Sequence, residues 1–129
     1  MIRVFRPVLG PALLLWAALA SVSPRPAAAH AIVLESSPTH DAVLARAPEQ
    51  VTLRFNSKIE KRFTRVTLAA GDQPPALVAL PASQDPDAPD RLVIPLRPLR
   101  PGVYVLRYRV LAVDGHITEG ALRFTVSGE

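Results

Sequence analysis

The chain has 129 residues, with 15 Lys+Arg against 11 Asp+Glu, 14 prolines and no cysteine. Without cysteine there is no disulfide framework, no thiolate nucleophile and no cysteine-based zinc site, so the fold must stand on its own core or on a bound metal. The formal charge of +4 would suit an anionic partner, but the basic residues are interleaved with acids and have no aromatic platform between them, which argues against nucleic acid.

The first 29 residues read as a signal peptide. Arg3 and Arg6 supply a positive start, Val8 to Ala20 an apolar run, and Ala27-Ala28-Ala29 a small-residue cleavage site. A membrane anchor is the alternative, but the run falls short of the roughly 20 residues a spanning helix needs, and Pro11 interrupts it. Cleavage after Ala29 would export the protein and leave the mature chain without a membrane insertion. It removes three arginines and no acid, leaving 12 basic against 11 acidic residues and a formal charge of +1. Residues 30–129 are then one domain.

In that domain helical periodicity is missing and period-two alternation recurs between proline-marked turns. The predicted strands are Ile32 to Leu34, Val51 to Phe55, Val66 to Leu68, Leu77-Val78, Leu92 to Ile94, a long one from Val103 to Val113, and Leu122 to Val126. Ser36-Ser37-Pro38, Ala47-Pro48, Gly71 to Pro75, Pro81 to Pro89 and Pro98 to Gly102 carry turn chemistry. About seven short strands in a hundred residues predict an all-β, antiparallel Greek-key sandwich or barrel.

Three histidines, His30, His40 and His116, all fall in this domain. Asp114 and His116 flank Gly115, and in extended backbone both side chains would point to one face. The pair suits a metal, a catalytic dyad or a plain hydrogen bond, and Asp-Gly is also an ordinary turn dipeptide. No G-x-S-x-G elbow supports a serine hydrolase. A mature N-terminal His30 adds a chelate of α-amine and ring Nδ1 to a single metal ion. With His116 and Asp114 the donor set becomes three nitrogens and one oxygen, which favours Cu(II). Amine and imidazoles must shed protons to bind, so affinity should fall with pH. His40, in a turn after the first strand, reads as a solvated loop residue, with an auxiliary copper contact as its functional alternative. Arg107 and Arg109 read as an outward-facing basic strip rather than an anion site.

The ordered set of His30, "SSP" at 36–38, "VTLRF" at 51–55, Phe63, "PGVYVLRYRV" at 101–110, "DGH" at 114–116 and "GALRFTV" at 120–126 resembles the periplasmic copper-resistance CopC family over essentially all of residues 30–129. The resemblance implies a cupredoxin-like Greek-key β-barrel that binds one Cu(II) through His30, Asp114 and His116. As partners it implies the copper ion and an inner-membrane copper transporter or other envelope copper protein. Relatives that place an acidic residue after the Phe of the "LxF" strand differ from this chain, which reads Phe55-Asn56-Ser57. The methionine-rich Cu(I) loop of some relatives has no counterpart, because Met1 is the one methionine. Tyr108 stands where relatives often carry tryptophan.

The implied function is that of a non-enzymatic carrier or buffer of Cu(II) in copper resistance or homeostasis. Two further readings fit parts of the sequence. An N-terminal histidine plus a second histidine also resembles the copper brace of oxidative polysaccharide-cleaving enzymes. Those need an aromatic-bearing surface, whereas the alternation buries most of Phe55, Phe63, Tyr104, Tyr108 and Phe124. An immunoglobulin-like interaction module without metal is the other.

Overall fold

The computed structural model describes residues 31–81 and 84–128; the leader, its cleavage site and His30 lie outside the described residues. The alternating segments form eight strands: β1 (Val33–Ser37), β2 (Ala42–Leu44), β3 (Gln50–Phe55), β4 (Arg65–Ala70), β5 (Ala76–Leu77), β6 (Arg91–Pro95), β7 (Gly102–Leu111) and β8 (Ile117–Val126), with one 3-10 turn at Lys61–Phe63. They make two sheets, one of three strands in the order β1-β3-β6 and one of five in the order β2-β8-β7-β4-β5.

The two sheets face each other because their strands are apolar on one side. Val51, Leu53 and Phe55 of β3 with Leu92 and Ile94 of β6 meet Val66, Tyr104, Leu106, Val110, Leu122, Phe124 and Val126 of the larger sheet in one buried cluster. Each such side chain contributes about 1.5–3 kcal/mol by leaving water. Tyr104 stacks on its cross-strand partner Phe124 at 5.5 Å between ring centres. Phe55 meets the edge of Tyr108 across the two sheets at 5.8 Å. The all-β sandwich expected from the alternation is therefore present.

It differs from the expected layout in four strands, of which β7 ends at Leu111, two residues before the predicted Val113, because the hairpin turn begins there. β2 was not predicted: three residues in "DAVLARAP" are too few to show a period, and what makes them a strand is pairing with β8. That pairing is parallel, so the larger sheet is mixed rather than purely antiparallel. β1 runs through Ser36 and Ser37, read from sequence as a turn, because both pair with β3. β8 begins at Ile117, five residues earlier than its apolar run implies, since pairing with the whole of β7 holds even Gly120 and Ala121 extended.

Between β1 and β2 the chain crosses from one sheet to the other. Asp41, at a φ of 62°, donates its backbone N–H to Arg123 O at 2.7 Å. Its carboxylate receives the Arg123 Nε–H at 2.6 Å, while His40 Nδ1 accepts the Arg123 backbone N–H at 3.2 Å. The free edge of β6 is closed by a side chain: the Gln84 amide donates to Val93 O at 2.9 Å and accepts from Val93 N–H at 3.1 Å. A side-chain amide thus takes the place of a neighbouring strand and blocks edge pairing.

The Arg123 guanidinium holds the Asp41 carboxyl below the usual carboxylate range, and Arg54 does the same for Glu35. Groups with depressed folded-state values add stability above their unfolded values, near 4, and that stability is lost as pH falls through the folded ones. The thermal midpoint should therefore drop on acidification below about pH 4. In the double variant Asp41→Asn/Glu35→Gln that drop should be smaller, as read by circular dichroism melts.

Candidate metal centre

β7 and β8 pair without interruption from Gly102–Val126 to Leu111–Ile117, so the loop from Ala112 to His116 sits at the end of a rigid ten-residue ladder. The turn is fixed by its own backbone. Gly115 donates to Ala112 O at 2.9 Å, and Ala112 donates to His116 O at 2.8 Å. Gly115 has a φ of 91°, which a side chain would disfavour.

Asp114 and His116 do come together, but by a turn and not by extended alternation. Asp114 Oδ1 accepts the His116 backbone N–H at 3.1 Å, an Asx-type contact. Asp114 Oδ2 lies 3.1 Å from His116 Nδ1. The His116 N–H first, and its ring second, hold the Asp114 carboxyl below its ordinary range against a partial burial that would raise it. Both side chains remain open to solvent, so an ion can reach them. The turn and hydrogen-bond readings from sequence describe this local geometry correctly, and both are compatible with a metal.

A second segment, residues 56–60, braces this loop. Val113 donates to Lys58 O at 3.2 Å, Glu60 donates to Leu111 O at 2.8 Å, and Ile59 bridges to Ala112. The same segment also fastens the start of the domain. Asn56 Oδ1 accepts the Ile32 N–H at 2.8 Å, and the Asn56 N–H returns to Ile32 O at 2.9 Å. Ala31, the residue before, is fully buried. Asn56 is thus a positioning residue that sequence reasoning missed. It registered only as the absence of a carboxylate, and no local pattern marks a side chain whose partner lies 24 residues earlier.

Of the residues predicted to hold the metal, Asp114 and His116 are adjacent, and His30 lies outside the described residues. Among the described residues no cluster of three or more His, Cys, Asp or Glu side chains forms. His40 is held away from the Asp114–His116 pair. It is fastened to Arg123, six positions along β8 from Ile117, which is about 20 Å at the strand rise of ~3.3 Å per residue. The aromatic side chains divide nearly as the alternation predicts: Phe55, Tyr104 and Phe124 are buried and Tyr108 is half-buried. Phe63 is the exception, 57% exposed with Arg62 stacked over its ring at 4.7 Å.

The family model described as the CopC domain matches residues 33–127. The protein YobA of Escherichia coli K12 is 32% identical over 99 residues, covering 76% of this chain and 79% of its own. Copper resistance protein C of Xanthomonas campestris pv. juglandis is 32% identical over 127 residues, covering 95% and 97%. Among solved structures, CopC from Methylosinus trichosporium OB3b superposes with a TM-score of 0.70 at 32% identity, over 78% of this chain and 96% of that one.

Proposed function

The chain belongs to the CopC domain family, and from that membership and the geometry of the loop we propose that it serves copper resistance by binding one Cu(II) ion. In this reading it acts in the periplasm as a carrier or buffer that passes the ion to an envelope copper protein or inner-membrane transporter. The named relative with the fullest coverage is a copper resistance protein, which supports the copper-resistance role. The proposed ligands are the α-amine and ring of His30, the Asp114 carboxylate and the His116 imidazole.

One observation carries the assignment. Two donor atoms that each sit about 2 Å from one ion, at right angles or slightly more, lie about 3 Å apart. His116 Nδ1 and Asp114 Oδ2 are 3.1 Å apart on a loop whose backbone is tied at both ends. An ion lying to one side of this contact could take both donors once the ring gives up its proton and both groups turn toward it, so part of the cost of ordering these ligands is met by the fold. The anchoring of Ile32 to Asn56, on the segment that also braces the loop, supports a reading in which a chain starting at His30 is tethered on the side of the loop. Three nitrogens and a carboxylate suit tetragonal Cu(II), and with no thioether in the domain there is no soft donor to favour Cu(I).

Among the described residues exposed aromatic side chains are scarce, which supports a carrier over an oxidative polysaccharide-cleaving enzyme. Asp114→Asn removes the charge of the clamp and keeps its shape. Titration with Cu(II), followed by electron paramagnetic resonance and intact mass, should give one ion per chain in the parent. The variant should bind at least about tenfold more weakly, since even outer-shell changes at metal sites cost about 10- to 100-fold. Unchanged affinity would remove Asp114 from the ligand set, and a parent that holds no copper after dialysis against a metal buffer would favour the metal-free interaction module.

A further inference from the structure

The outward face of the larger sheet is unaccounted for by a copper site at the end of the β7–β8 hairpin. Cross-strand register places its side chains in rows. Arg65, Arg109 and Glu119 form one row across β4, β7 and β8; Thr67, Arg107 and Ala121 form the next; Ala69, Val105 and Arg123 form the third. Four arginines that are far apart in sequence thus share one surface, and all four are exposed.

Neutralisation within this face is incomplete. Arg109 has Glu119 at 3.3 Å and Arg123 has Asp41 at 2.6 Å, while Arg65 and Arg107 make no ion pair among the described residues. Arg65 stands directly opposite Arg109, a like-charge pairing that costs stability when nothing lies between. The smaller sheet neutralises the corresponding pair more tightly: Arg54 opposite Arg91 is clamped by both carboxylate oxygens of Glu35, at 3.0 and 2.7 Å, against the one 3.3 Å contact of Glu119. On the larger sheet the short side chains of Thr67 and Ala121 instead leave a groove of about 490 Å³ beside Arg65, Arg107 and Arg109.

We infer that this groove is a docking surface for an acidic polypeptide segment of a partner protein, bound in extended conformation. Arg107 and Arg109 are two residues apart on one strand, so their side chains leave the sheet about 7 Å apart. Carboxylates at alternate positions of an extended chain have the same spacing. A groove accepts such a chain between its walls, whereas a flat bilayer surface meets only the rim and not the floor at Thr67 and Ala121. The inference is independent of the copper reading, since none of these arginines belongs to the metal loop.

The test uses a fluorescein-labelled peptide of alternating Glu and Ser, titrated with the full mature protein at about 0.15 M salt, where exposed charges more than about 8 Å apart are already screened. Binding read by anisotropy should weaken as salt rises. It should fall at least tenfold in Arg65→Ser/Arg107→Ser and in Ala121→Glu, which places a carboxylate in the groove. It should stay within twofold in Arg46→Ser/Arg97→Ser, which removes the same charge from other exposed sites. Circular dichroism and Cu(II) titration of each variant report that the fold is kept. No peptide binding, equal losses in the two double variants, or binding to phosphatidylglycerol vesicles with none to the peptide would each overturn the inference.

Discussion

Replacing His30 with alanine is expected to abolish tight Cu(II) binding while leaving the fold intact. The variant keeps an α-amine and the Asp114–His116 pair, but it loses the chelate ring that joins amine and imidazole on one residue. Outer-shell substitutions at metal sites already cost about 10- to 100-fold, so loss of a ligand that closes a chelate should exceed 100-fold. A second form separates the amine from the ring. One extra residue before His30 leaves the imidazole in place and moves the free amine away, and it should weaken binding about as severely. Stoichiometric binding of undiminished affinity in His30→Ala, measured against a competing chelator, would sink the ligand assignment; equal affinity in the extended form would remove the amine alone. Intact mass of the exported protein establishes in the same experiment whether the chain starts at His30.

Gly120→Ala should be strongly destabilising, although alanine ordinarily improves on glycine within a strand. Gly120 pairs with Tyr108 across the hairpin, and a Cβ built there would fall on the Tyr108 ring and hydroxyl. The ring has little freedom to yield, because Phe55 of the opposite sheet meets it edge-on. The glycine makes room for an aromatic that covers it, a device that also pins register. Overpacking of this kind costs about 1–3 kcal/mol, or a drop of roughly 5–20 °C in the melting midpoint of a domain this size. In a Tyr108→Ala background the methyl group meets no ring, so most of the cost should vanish, and a double-mutant cycle reads that coupling directly. A neutral Gly120→Ala in the parent would show that the ring gives way.

Much of this protein is written locally. Val51, Leu53 and Phe55, or Tyr104, Leu106 and Val110, declare a strand and its buried face by alternation alone, because the side-chain period of a strand is two. The contact between the two polar side chains of the β7–β8 loop was legible for a similar reason. Asp114, Gly115 and His116 are neighbours, so their meeting needs no distant partner, and the family resemblance rests on such short ordered pieces.

What tertiary structure decided is everything that depends on pairing between distant segments. Ala42 to Leu44 becomes a strand only because β8 is there to bind it, and His40 is set apart from the Asp114–His116 loop only because that pairing carries it to Arg123. Asn56 acquires its role from Ile32, and Arg65 joins Arg107, Arg109 and Arg123 through sheet register. Composition, alternation and the short motifs determined an all-β domain of the CopC family and suggested its ligand set. Which face each residue shares, and what it can reach from there, was fixed by cross-strand hydrogen bonding, which acts over separations that no local pattern records.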